Sequence, residues 1–222
     1  MHRLPKILII GVLVVLLGGI LFPFVIKSRT NSDRVGCQDH LRSLGLFGVR
    51  HASLPGQPMN DKLLEELPAG TVPNDKLTVT NRLSWYVYTL NVLDQGQPQL
   101  DEKMKRRPRG LAEALKGFQP TNGWSEGSNN ELAKFRLTTA ICPARVPDKG
   151  PDDYGTNNYL AIGGLGVETP QLSLLEAGPN AGAYRYNGMT SNDAIVDGLG
   201  QTIHLIETSA NIGPWLQGGS PT

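Results

Sequence analysis

Residues 7–26 read ILIIGVLVVLLGGILFPFVI, twenty consecutive uncharged residues set between Lys6 and Lys27. In a helix rising 1.5 Å per residue this run covers roughly 30 Å, the thickness of a bilayer hydrocarbon core. A cleaved secretory signal has a shorter apolar stretch, about 7–15 residues, followed by a small-x-small site. Here the run closes on Phe22-Pro23-Phe24-Val25-Ile26-Lys27 with no such site. A lipoprotein signal needs a small apolar box directly before a cysteine, whereas Cys37 follows Arg34-Val35-Gly36 and lies well downstream. The reading is therefore a retained single span. Arg3 and Lys6 precede it and Lys27, Arg29 and Arg34 follow it, so the positive-inside rule leaves its orientation open.

Beyond the span, residues 31–53 keep a helical pattern. Cys37, Leu41, Leu44, Gly48 and Ala52 recur at spacings of three and four and form one narrow apolar stripe, with Asp33, Asp39, Arg42 and Arg50 off it. Leu54-Pro55-Gly56 is a strong stop. Span and stripe together predict one long helix, interrupted near Pro23. The organisation that follows is a short N-terminal stretch at 1–6, which the resemblance described below places in the cytoplasm, a transmembrane segment at 7–26, its extramembrane continuation at 27–54 and a globular domain at 55–222.

That domain reads as loop-rich. Gly (26) and Pro (16) make up about a fifth of the 222 residues, which predicts turns and long connections rather than a helical bundle. Residues 55–81 are mostly loop, with a short helix expected at 61–66. The stretch SWYVYTLNVLD at 84–94 is ambiguous, since Trp85, Tyr86 and Tyr88 favour a strand while Ser84 suits a helix cap. A short amphipathic helix is expected at 110–118, loop at 119–130, and strands at 136–142, 158–163 and 202–208. The fold class is α+β: a long N-terminal helix, then a domain built around an antiparallel sheet.

The chemistry is sparse. A net charge of +1 from 21 basic and 20 acidic residues leaves no footprint for nucleic acid. There is no Gly-x-Ser-x-Gly elbow, Walker loop or dinucleotide fingerprint, so no enzymatic activity is expected. His40 and His51 are eleven apart, and His2 and His204 lie elsewhere, which does not suit a helical metal site; solvent-facing or capping roles are expected. Gly163-Gly164-Leu165-Gly166 reads as a flexible turn rather than a phosphate cradle. Asp152, Asp153, Asp193, Asp197 and Glu207 are candidates to gather around calcium, or else serve turns through Asp–backbone bonds. Lys103, Lys105, Arg106, Arg107 and Arg109, in KMKRRPR, form a basic loop that suits contact with an anionic surface. Trp124, Trp215, Tyr184 and Tyr186 are candidates for a sugar-stacking surface or for core and loop anchors.

Several stretches in chain order resemble a known bacterial family. They are Cys37-Gln38-Asp39-His40-Leu41-Arg42-Ser43-Leu44-Gly45-Leu46 behind an apolar helix, Leu83-Ser84-Trp85 running to Leu93-Asp94-Gln95, and Asn130 through Ile141-Cys142-Pro143. Thr156-Asn157-Asn158-Tyr159 and Ile195-Val196-Asp197-Gly198 with Thr202-Ile203 and Glu207 complete the series. The family is the prepilin-like group of proteins of unknown function expanded in planctomycetes. The resemblance implies a pilin-like plan, with the N-terminus inside, a single span in the cytoplasmic membrane and the domain in the periplasm or at the cell surface. It implies a non-enzymatic structural or assembly role, with the lipid bilayer and like pilin-type subunits as partners through the N-terminal helix. Gly11, Gly18 and Gly19 permit close helix approach there. The alternative is a tethered extracytoplasmic domain that binds a cation such as calcium, or polysaccharide. Unlike pilin precursors, the chain has no acidic residue before Asp33.

Together, anchor and resemblance put Cys37 and Cys142 outside the cytoplasm, where disulfides persist. Cys37 lies on the apolar stripe and Cys142 ends a strand-like run. A Cys37–Cys142 disulfide is expected, the alternative being two buried thiols.

Overall fold

The computed structural model describes residues 3–50, 53–55, 66–94, 111–145, 153–208 and 213–219, with helix α1 side chains described at 19, 22 and 24–46. Helix α1 spans Arg3–Arg50, about 70 Å of helix at 1.5 Å per residue. It runs through Pro23 without a break, contrary to the interruption expected there. A proline removes one N–H from the ladder, and the apolar residues on either side carry the helix across. Among the described residues no helix is long and apolar enough to cross a membrane; the side chains of 7–18, most of the apolar run, lie outside that description.

The domain contains short elements: β1 (Glu66–Leu67), α2 (Val87–Asp94), α3 (Leu111–Lys116), α4 (Gly127–Ala133), β2 (Tyr159–Ala161), α5 (Leu174–Ala177), β3 (Thr190–Ser191) and β4 (Leu205–Glu207). The class is α+β, as expected, but the described strands form two antiparallel ribbons rather than one sheet. β1 pairs with β3, Leu67 opposite Thr190. β2 pairs with β4, Tyr159 opposite Glu207 and Ala161 opposite Leu205.

Three sequence expectations are corrected. Residues 136–142 are not a strand; Thr138–Ala140 form a 3₁₀ turn. Among the described residues no strand pairs with them. Asn158 takes that place, its backbone N–H donating to Ala140 O at 2.8 Å and its Oδ1 accepting from the Cys142 N–H at 3.1 Å. Residues 119–130 are not all loop, because α4 begins at Gly127. The fully buried Asn129 holds the preceding loop, accepting from the Gln119 N–H at 3.1 Å and donating to Gln119 O at 2.8 Å. At 61–66, Glu66 belongs to β1, and 61–65 lie outside the described residues.

The ambiguous SWYVYTLNVLD divides. Ser84 donates through Oγ to Trp215 O at 2.5 Å and through its N–H to Leu216 O at 3.0 Å, while helix begins at Val87. Trp85 and Tyr86 are thereby held in the core with Tyr159, Tyr184 and Trp215, all fully buried. Trp85 stacks on Tyr86 with centroids 4.1 Å apart, and Tyr86 meets Trp215 edge-on at 6.5 Å. Gly163 and Gly164 lie close against Gly182, where an added Cβ would collide with Gly164 N. The glycine cluster is thus a place of close backbone packing, and the flexible-turn reading is corrected.

Candidate functional site

The seam where α1 enters the domain concentrates the singular features of the molecule. The apolar stripe supplies Cys37 and Leu44, both buried, and half-buried Leu41. Against them pack α2, β1, β4 and the 138–140 turn. Cys37 and Cys142 form a disulfide with Cα atoms 4.8 Å apart, both residues nearly inaccessible to solvent. The expected bridge is present. Gly36 lets the chain after Cys142 approach, since a Cβ there would sit 3.1 Å from Pro143 Cγ. Gly45 does the same for His204, 3.0 Å from its Nε2.

A line of tyrosines ties this bridge to the core. Tyr159 donates its hydroxyl to Cys37 O at 3.3 Å, and Tyr86 donates to Tyr159 O at 2.9 Å. Burial raises the pKa of both phenols, so they stay protonated as donors. His40 lies one turn beyond Cys37, half-buried, with Nδ1 3.1 Å from Ile141 O and its ring edge-on to Tyr159. A carbonyl only accepts, so Nδ1 carries the proton. Burial lowers the His40 pKa below 6.5, outweighing the Ile141 carbonyl and the neighbouring Asp39, which pull it up. His40 is therefore neither solvent-facing nor a cap. It is a half-buried wedge, neutral at neutral pH.

Two grooves flank the seam. One, of about 610 Å³, lies between α1 and residues 199–205 and is walled by Leu41, Leu46, Leu199, Ile203 and Leu205. The other, of about 780 Å³, lies between α1 and residues 136–145 and is lined by Arg29, Asp33, His40, Arg136, Pro143 and Arg145 among others. It presents three guanidiniums to one carboxylate. Among the described residues neither Arg29 nor Arg136 forms an ion pair. Sequence reading missed this basic groove, because its arginines are distant in the chain and only the disulfide turn brings them together.

Other candidates fare differently. Lys103, Lys105, Arg106, Arg107 and Arg109, with Asp152, His2 and His51, lie outside the described residues. Asp153, Asp193, Asp197 and Glu207 do not converge. The one group of three ligand types within 4.8 Å among the described residues is Cys37, Cys142 and Glu207, and its sulfurs are consumed in the disulfide. Trp215 and Tyr184 are fully buried and Trp124 donates to Thr80 O at 3.0 Å. Trp215 and Tyr184 are core anchors and Trp124 a loop anchor, while Tyr186 is half-buried.

Residues 34–214 match the family described as "Protein of unknown function (DUF1559)". The chain belongs to that family. The DUF1559 match begins on α1 just before Gly36-Cys37 and ends beside Trp215, so it takes in the seam, the disulfide and the core and leaves out the apolar run. Neither curated proteins nor solved structures give a match.

Proposed function

We propose that this chain is a membrane-anchored, pilin-like structural or assembly protein of a bacterial surface or secretion apparatus, acting without catalysis. Residues 7–26 hold it in the cytoplasmic membrane as a single-pass protein, N-terminus inside, with the domain in the periplasm or at the cell surface. The observation that carries this reading is the division of α1. Residues 24–32 are exposed at every position, and Phe22, Phe24, Val25 and Ile26 leave half or more of their surface open to solvent. Eleven residues past Ile26, at Cys37, the same helix is bridged to the domain and buried. An apolar helix left uncovered by its own domain needs another cover, and a bilayer or like helices supply it. The disulfide makes that helix and the domain one mechanical unit, as an assembly subunit requires.

Four measurements test this. The membrane-extracted chain should resist carbonate, and its mass should retain residues 1–26. Protease added to spheroplasts should remove the domain and leave a small membrane fragment. For assembly, Gly19 is exposed with nothing within 4 Å, so a Gly19→Cys chain in membranes should cross-link to a second copy through a bismaleimide. A soluble mature chain would overturn the anchor, and cross-linking no greater than for wild type would overturn self-assembly through the helix.

A further inference from the structure

The basic groove offers a second role. It opens along the face of α1 that carries Arg29, Asp33 and His40, and its opposite wall is the disulfide turn with Arg136 and Arg145. Arg29 follows the last apolar residue of the run, Ile26, by three positions, a rise of roughly 4–5 Å, which lies within a headgroup layer some 5–8 Å deep. Arg136 and Arg145 line the same groove as Arg29. His40 closes the far end and brings no charge. The groove thus combines three guanidiniums against one carboxylate in its lining, exposed Arg29 and Arg136 that form no ion pair among the described residues, and, at Arg29, a position close behind the apolar run.

We propose that this groove binds the phosphate of anionic lipid headgroups, seating the domain on the outer surface of the bilayer with Arg29, Arg136 and Arg145 as the contacting groups. Guanidiniums suit this ligand because their planar N–H pairs match phosphate oxygens two at a time. The inference rests on the anchored reading above. Asp33 is the one carboxylate lining the groove, and it leaves the three guanidiniums in excess.

The test uses the full chain in phosphatidylcholine vesicles, with or without phosphatidylglycerol, and amide hydrogen exchange of residues 136–145 as readout. With phosphatidylglycerol, exchange there should slow by about fivefold for each arginine engaged. The effect should fade in high salt and vanish in R29Q/R136Q/R145Q. The corresponding triple Lys variant should keep part of it. Unchanged exchange in the wild-type chain overturns the proposal without any variant. Equal protection by inorganic phosphate in neutral vesicles would make the groove a free-anion site instead. Protection that follows protein density but not lipid charge would assign it to a second copy. Flotation separates this from the anchor. A chain that floats with neutral vesicles yet shows no lipid-charge dependence loses the groove alone. A chain that fails to float with neutral vesicles loses the anchor, and the groove then stands only if anionic vesicles retain wild type and release the triple Gln variant.

Discussion

Helix α1 is one continuous element with two unlike regions. Over 24–32 every residue is exposed, including apolar Phe24, Val25 and Ile26. Over 37–45 the same backbone delivers Cys37 and Leu44 into the core, and Gly36 and Gly45 admit Pro143 and His204 beside it. Helical propensity is satisfied equally in both. The difference lies in tertiary cover: the domain grips the helix only where small residues and a cysteine let other segments come close. A helix of this length is a handle, and its use is set by which part is gripped.

The comparison can be broken most severely at the bridge. Replacing Cys37 and Cys142 together with Ser should cost about 4–5 kcal/mol in the chain-entropy account of a loop with sequence separation 105. Denaturant unfolding of the detergent-solubilised chain measures this. A loss below about 1 kcal/mol would mean that packing alone holds the helix. Next in size, Leu44→Ala should cost about 2–5 kcal/mol, since Leu44 is fully buried. Val35→Ala, on the exposed side of the same helix at 55% exposure, should stay within about 0.5 kcal/mol. Equal losses at the two sites would erase the distinction between faces.

A smaller effect is expected along the tyrosine line. Tyr86→Phe removes a buried donor to Tyr159 O and should cost about 1–2 kcal/mol, read as a lower unfolding midpoint with unchanged denaturant slope. The smallest is a pH effect at His40. Above its ordinary value of 6.5 the ring is neutral both folded and unfolded and contributes no pH dependence. As pH falls through 6.5 the unfolded chain takes up the proton first, so stability declines until the lower folded pKa is reached. His40→Gln should flatten that part of the stability profile. An unaltered slope would show that the ring is not buried neutral at the seam.

Much of the gripped region was legible in the sequence, and for a definite reason. The stripe of Cys37, Leu41 and Leu44 follows from helical spacing, which is local, and α3, β2 and β4 lie within the stretches where local pattern placed them. The miss at 136–142 has an equally definite cause. Thr138 and Thr139 favour extended backbone, but a strand needs a neighbouring strand, and there a single residue, Asn158, supplies the pairing through its backbone N–H and its side-chain oxygen. The miss at 127–133 arose because Gly-Ser-Asn-Asn resembles a loop, while the value of Asn129 comes from the three backbone carbonyls it meets across 119–123.

By itself, then, the sequence determined the long helix, its buried stripe and the loop-rich character of the domain, which depend on periodicity and composition. The pairing of the two cysteines was expected against the alternative of two buried thiols, and the fold decided it by bringing their Cα atoms to 4.8 Å. Tertiary structure alone decided that the strands form two separate ribbons, that Gly163, Gly164 and Gly182 are packed rather than loose, and that Arg29 shares a groove with Arg136 and Arg145. These depend on which distant segments meet. Closing the Cys37–Cys142 loop brings together side chains whose separation along the chain conceals their common surface.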